Sequence, residues 1–199
     1  MMKPSILRSA IAVLATVVLC AACAAQRPAD GPGMTVTFSS AIKGKSIDLL
    51  SAISSSKQPF PNPGEFGPNA NPITGGKTMG AAPDGRELPE WVAFTWKEWP
   101  YPYPKAPSDP VALQTWRDEV RTMSRSLPVE TASVPVRARV PQDVVDEVLA
   151  SNRRRAPRAL PDEMLWVYFI WYDSGVKFRW SLERGCCTVL RQGGDDLEK

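Results

Sequence analysis

Asp143, Asp146 and Glu147 form the one carboxylate cluster in this chain that invites acid–base chemistry. Asp143 and Glu147 lie four apart, which places them on one face of a helix, with Asp146 adjacent. A hydrolytic pair also needs a partner base, a metal-ligand pattern or a glycine-shaped pocket, and none accompanies these residues. The cluster reads instead as a solvated acidic face near a helix start, where the helix dipole favours negative charge. The 199 residues include no histidine. That removes the commonest general base and the commonest zinc ligand. A Ser-His-Asp or Cys-His site cannot be assembled within the chain. We therefore expect no enzyme, no cofactor and no metal. Gly76-Lys77-Thr78 imitates the end of a phosphate-binding loop. The first-glycine position of that motif is Asn71, Pro72 follows it, and no buried strand leads in.

The cysteines place the protein. Lys3 and Arg8 give a basic start, and residues 10–22 are apolar throughout. That run is too short for a comfortable membrane span of about 20 residues. It has the form of a secretory signal peptide over residues 1–22. A lipoprotein signal puts a small residue directly before the cysteine that is acylated, and Ala22 before Cys23 meets that need. Leu19 before Cys20 does not, because it is bulky. Cys20 itself stands three before Cys23, where Leu, Val or Ile is usual. The other reading is an ordinary cleaved signal ending at Ala22 or Ala25, with a soluble periplasmic product. Cys23 is the expected lipidation site, so the chain is expected in the cell envelope, held to the membrane by lipid. The segment resembles lipoprotein signals of the enteric type, and that resemblance with Ala24 implies the periplasmic face of the outer membrane. Removing residues 1–22 leaves 177 of the 199 and takes away Lys3 and Arg8. The net charge then falls from +3 to +1, which makes no case for nucleic acid. Cys186 and Cys187 are adjacent, in an oxidising compartment. They read as two half-buried side chains, or as a strained vicinal disulfide or a link to a partner.

These residues need elements to hold them. Residues 23–33 form a polar, Pro/Gly-rich tether, 34–193 a single domain, and 194–199 a frayed tail. Met34–Phe38 alternates as a first strand, and Ser46–Ile53 fits a strand or a short helix. Residues 57–87 hold six prolines and six glycines, so a long loop without regular structure is expected. Trp91–Trp99 is a strand with Val92, Phe94 and Trp96 on one face. Pro100–Pro104 should be extended in polyproline form. Asp109-Pro110 opens a helix whose buried stripe is Leu113, Trp116, Val120, Met123 and Leu127, and Pro128 ends it. From Glu130 to Val140 alternation returns, with Pro135 marking an edge strand or a bulge. Pro141 starts a second helix with Val144, Val145, Val148 and Leu149 inward. Arg153-Arg154-Arg155 sits at its end, favoured by the dipole or by anionic headgroups. Leu165–Tyr172 and Val176–Leu182 are two strands joined by a tight turn at Asp173-Ser174-Gly175. The first is apolar on both faces and belongs in mid-sheet. The second points Val176, Phe178, Trp180 and Leu182 inward. The fold class is α+β: an antiparallel sheet of about five strands with two helices packed on one face.

LPEWVAFTWKEWPYP, VPVRARVPQDVVDEV and LWVYFIWYDSGVKFRW, after a lipoprotein signal and a glycine-rich loop, resemble a group of small proteobacterial lipoproteins of unassigned function. The likeness covers most of residues 75–182. Related small lipoproteins lie beside type VI secretion lipase effectors, where they act as periplasmic immunity proteins. The resemblance implies a binding protein whose partner is a secreted, envelope-targeting toxin. Phe60 and Phe66 in the loop, Trp99, Tyr101 and Tyr103 in the aromatic–proline segment, and Arg137 and Arg139 could supply the concentrated aromatic and arginine patch that a tight inhibitor needs. The alternative is a structural or glycan-binding envelope lipoprotein, in which Trp99, Tyr101 and Tyr103 stack on sugar rings.

Overall fold

Strand β1 (Thr35–Ser40) is buried at every position. That requires a strand on each side of it and cover on both faces. The computed structural model, which describes residues 31–55, 60–80, 85–155, 160–185 and 188–197, supplies both. Within those residues the chain is α+β. β1 pairs parallel with β7 (Glu163–Tyr172) and antiparallel with β4 (Lys77–Met79). A two-residue turn carries β7 into β8 (Gly175–Arg184), which pairs with β9 (Thr188–Gly194). The order is β4-β1-β7-β8-β9, so the two-faced apolar run of β7 does lie in mid-sheet.

The remaining strands do not extend this sheet. β3 (Glu65–Phe66), β2 (Lys45–Ser54), β5 (Trp91–Pro100) and β6 (Glu130–Pro135) form a second, antiparallel one in the order β3-β2-β5-β6. Ser46–Ile53, whose pattern fitted strand or helix, is strand, with a bulge between Leu49 and Ser51. The inner faces of the two sheets meet across an aromatic core. Phe94 of β5 lies 4.8 Å from Phe169 of β7 and 5.2 Å from Trp171, ring centre to ring centre, edge to face. Each such ring, fully buried, contributes about 1.5–3 kcal/mol.

Residues 57–87 depart from the long loop expected of them. The described part supplies an edge strand to each sheet, β3 and β4, and puts Phe60 and Phe66 into the core. Lys77 and Thr78 are therefore strand, with Gly76 in the bend just before them, and the segment is not a phosphate loop. At Gly76 a Cβ would come within 2.6 Å of Thr37 Cγ2 and 2.7 Å of the Phe38 carbonyl. Only glycine lets this segment lie so close to β1. Density of Pro and Gly excluded long elements, but two- and three-residue edge strands need little propensity.

The helices differ in how they are held. α1 (Pro110–Ser126) begins as expected, with Asp109 Oδ1 accepting from the Val111 and Ala112 amides at 3.1 and 2.8 Å. Its stripe is not buried as expected; Leu113, Trp116, Val120, Met123 and Leu127 are only partly covered. The outer face of the second sheet, where α1 attaches, carries the polar Ser51, Thr95 and Lys97 beside the buried Trp99, so the apolar bed it offers is small. Lys97 Nζ donates to the Ser124 carbonyl, and Trp116 meets Tyr103 edge-on at 6.3 Å. α2 (Gln142–Arg154) buries Val144, Val145 and Val148 in the core, and Leu149 packs against it. Between β6 and α2 the expected strand stops at Pro135, and Arg137–Arg139 form a 3-10 turn.

The ends are tied down more firmly than expected. Gly31 and Gly33, inside the expected tether, donate to the carbonyls of Gly85 and Arg86 at 2.9 and 3.0 Å. In the expected tail, the Asp195 amide donates to Phe178 O at 2.8 Å, and Asp195 Oδ2 accepts from Arg139 at 2.6 Å and from the Phe178 amide at 2.9 Å. Polar side chains held this way order a terminus whose composition alone suggests fraying.

Candidate functional site

The structure disperses the patch expected from the sequence. Phe60, Phe66 and Trp99 are buried, so none of them can serve as an exposed anchor. Phe66 packs 5.1 Å from Trp171, and Trp99 lies under the ring of Tyr103 at 5.2 Å. Tyr101 is 49% exposed but rests on Gly67, where a Cβ would come 3.0 Å from the tyrosine ring. The Tyr101–Pro102 bond is cis, which interrupts the extended form expected of this segment. Burial pushes the Tyr103 phenol up, with Glu65 and Asp48 acting in the same direction. Arg137 donates to the Val140 carbonyl at 3.2 Å and Arg139 pairs with Asp195, so both guanidinia hold the chain's own turns. The expected lipid site Cys23, with Cys20, Cys186 and Cys187, lies outside the described residues.

The carboxylates do not converge. Asp143 pairs with Arg191 of β9 at 2.8 Å, and that guanidinium holds its carboxyl below the usual carboxylate range. Asp146 accepts from Gln142 at 2.7 Å, four residues back on the same helix. Among the described residues no group of three or more Cys, Asp or Glu side chains could hold a metal ion.

A different set does converge, on the outer face of the five-stranded sheet. Alternation along β7 sends Leu165, Val167, Phe169 and Trp171 inward and Trp166, Tyr168, Ile170 and Tyr172 outward. The register with β8 sets Trp166 opposite Ser181, Tyr168 opposite Arg179, and Met164 opposite Glu183. On the other side Thr37 of β1 lies opposite Tyr168, and Thr78 of β4 beyond it. Residues 69–74 rise beside this face as a wall. Ser39 Oγ donates to Pro72 O at 2.6 Å, and Asn71 Oδ1 accepts from the Ile73 and Thr74 amides at 3.0 and 3.3 Å. Ile73 and Leu197 cover the Ile170 end of the face. The Trp166–Tyr168–Glu183 end stays open as a pocket of about 490 Å³, which Thr74, Gln192 and Val189 also line. That volume is ordinary for a small-molecule site.

The pocket has a polar centre. The Tyr168 hydroxyl donates to Glu183 Oε1 at 3.0 Å, and Ser181 Oγ donates to the same oxygen at 2.7 Å. All three residues are buried, Glu183 to 7% exposure. Burial pushes the Tyr168 phenol up to about 12, and the Glu183 carboxylate adds to this. Tyr168 is thus a fixed, neutral donor near neutral pH. Among the described residues the buried Trp166 indole N–H has no hydrogen-bond partner. Trp166 and Tyr168 hold their rings within 19° of parallel, 6.4 Å apart. The sequence carried one signal of this site: polar residues at outward positions of β8 opposite aromatic outward positions of β7. It was masked by the near-continuous apolar run of β7, which reads as cover on both faces.

Among the described residues no helix is long and apolar enough to cross a membrane. No protein-family model, curated protein or solved structure matches the chain.

Proposed function

We propose that this chain is a lipid-anchored protein of the bacterial envelope, on the periplasmic face of the outer membrane, that acts by binding a protein partner and not by catalysis. The partner in this reading is a secreted toxin aimed at the envelope. The anchor rests on the residues around Cys23, and the toxin on the likeness to immunity-type lipoproteins. One structural observation supports a protein partner: Ile53 and Trp91 are 42% and 39% exposed on the outer face of the second sheet, and Leu50, at the β2 bulge, is 46% exposed. Ile53 lies opposite Ala93, and Trp91 follows two residues along the same face. α1 attaches at the Lys97 end and leaves the Trp91 end open. An accessible tryptophan beside an exposed isoleucine is the kind of anchor on which interface energy concentrates.

The test is survival of cells that lack the gene when challenged by neighbours that secrete envelope toxins. Loss of the gene should lower survival, and the intact gene should restore it. Cys23→Ser should abolish incorporation of labelled palmitate and impair protection. Trp91→Ala should weaken partner binding roughly tenfold or more while leaving the melting temperature within a few degrees. Unchanged survival of the deletion strain would sink the reading.

A further inference from the structure

We propose that the pocket on the outer face of the five-stranded sheet is a saccharide site, in which neutral pyranose rings lie against Trp166 and Tyr168 and hydrogen-bond to Glu183, Ser181 and Gln192. The site shares no residue with the Trp91 face, and it stands or falls independently of a protein partner.

Three features select the ligand class. First, the aromatic pair provides a surface that is apolar on its faces, suited to the C–H faces of a sugar ring. Second, the groups around it are mostly neutral: Thr37, Thr74, Thr78, Ser181 and Gln192. Such hydroxyl and amide groups both donate and accept, as sugar hydroxyls do. Third, the carboxylate is half-used. Glu183 Oε1 is saturated by Tyr168 and Ser181, and Glu183 lines the pocket, so Oε2 is the oxygen open to a ligand. A pair of neighbouring hydroxyls on one ring would satisfy it with short, charge-assisted bonds.

Other classes fit less well. An anionic ligand would meet Glu183 at the pocket's buried centre. The available cation, Arg179, is already engaged, its Nη1 donating to the Asp195 carbonyl at 3.0 Å. An apolar ligand would strip water from Glu183, Ser181 and Thr37 and return no hydrogen bonds. An organic ammonium would satisfy Glu183 but would leave the threonines and Gln192 without partners. The aromatic set first suggested by the sequence, Trp99, Tyr101 and Tyr103, takes no part, since Trp99 is buried beneath Tyr103.

The experiment uses the full lipidated chain, purified in a detergent with no sugar headgroup and titrated with chitotriose, maltotriose and cellotriose up to about 10 mM. The readout is intrinsic tryptophan fluorescence. Saturable quenching or a spectral shift is expected with at least one trisaccharide. Glu183→Gln and Trp166→Leu should each weaken it tenfold or more, and Gln192→Ala by a smaller factor. Gln192 is exposed, so its variant keeps the test valid if the changes at buried Glu183 and half-buried Trp166 disturb folding. Trp91→Ala should leave the titration unchanged. The proposal is overturned if none of the three trisaccharides gives saturation. It is equally overturned if Gln192→Ala and Glu183→Gln both bind as well as the parent, or if tetramethylammonium saturates the signal where the sugars do not.

Discussion

α1 and α2 carry similar amphipathic patterns, and each starts beside a proline, yet they end in opposite situations. α2 buries Val144, Val145, Val148 and Ser151. No residue of α1 is buried. An amphipathic stripe records that a helix can cover an apolar surface; it does not say that such a surface lies underneath. α2 lies against β7, whose start offers Leu165 and Val167, and its Ser151 hydroxyl accepts from the Glu163 amide at 3.0 Å. α1 meets the outer side of β5, where Lys97 and Thr95 face it, and is held by a lysine–carbonyl bond and one ring contact. The outer faces of the two sheets repeat the contrast. One is walled by residues 69–74 and keeps a polar pocket, while the other leaves Trp91 and Ile53 open.

The same substitution made in both helices should have very different effects. Val148→Asp places an unpaired carboxylate in the core and should cost about 3–5 kcal/mol, leaving little folded protein. Val120→Asp should cost less than about 1 kcal/mol, because water still reaches that side of α1. Urea unfolding midpoints measure both. Equal losses would mean that α1 belongs to the core after all.

A middle-sized effect tests the seam that holds α2 to β7. Glu163 is buried and pairs with Arg184 at 3.0 Å and Arg154 at 3.3 Å. Burial alone would raise its carboxyl, but Ser151, Arg184 and Arg154 together hold it below the ordinary range. A carboxyl depressed in the folded state adds stability that is present above the unfolded pKa, about 4.3 for glutamate, and is lost as pH falls through the lower folded value. Glu163→Gln should therefore cost about 1–3 kcal/mol near neutral pH. The gap to the parent protein should close on acidification, as followed by urea midpoints across that range.

The smallest effect sits in the pocket. The Tyr168 phenol is pushed up to about 12. A group raised in the folded state adds stability that is fully present below its unfolded pKa, about 10 for tyrosine, and lost as pH rises through the folded value. The parent protein should thus lose stability between pH 10 and about 12 more steeply than Tyr168→Phe does. Thermal melts of the two proteins over that window would show it. Parallel curves would mean that the phenol is not buried beside Glu183.

Much of the scaffold was legible in the residues. The β7–β8 hairpin follows from a turn with Gly175 between two β-rich runs, and the strand at Trp91 from its alternation. The start of α1 follows from Asp109-Pro110, and the buried face of α2 from its valine spacing. The candidate site was not legible. Phe60, Phe66 and Trp99 looked available because they lie among prolines and glycines, and aromatic residues in such segments can fold inward as readily as outward. Asp195 looked like part of a tail because nothing nearby in sequence needs it; its partners, Arg139 and the Phe178 amide, are far along the chain.

By itself the sequence determined the α+β class, the histidine-free chemistry and the period of each long element, because these depend on residue type and on contacts a few residues away. Only the tertiary structure decided that the strands divide into two sheets, that one helix is buried and the other is not, and that Trp166, Tyr168, Ser181 and Glu183 surround one pocket. Those outcomes depend on which strands pair and on what covers each outer face. Both are set by contacts between residues tens of positions apart, which no local pattern encodes.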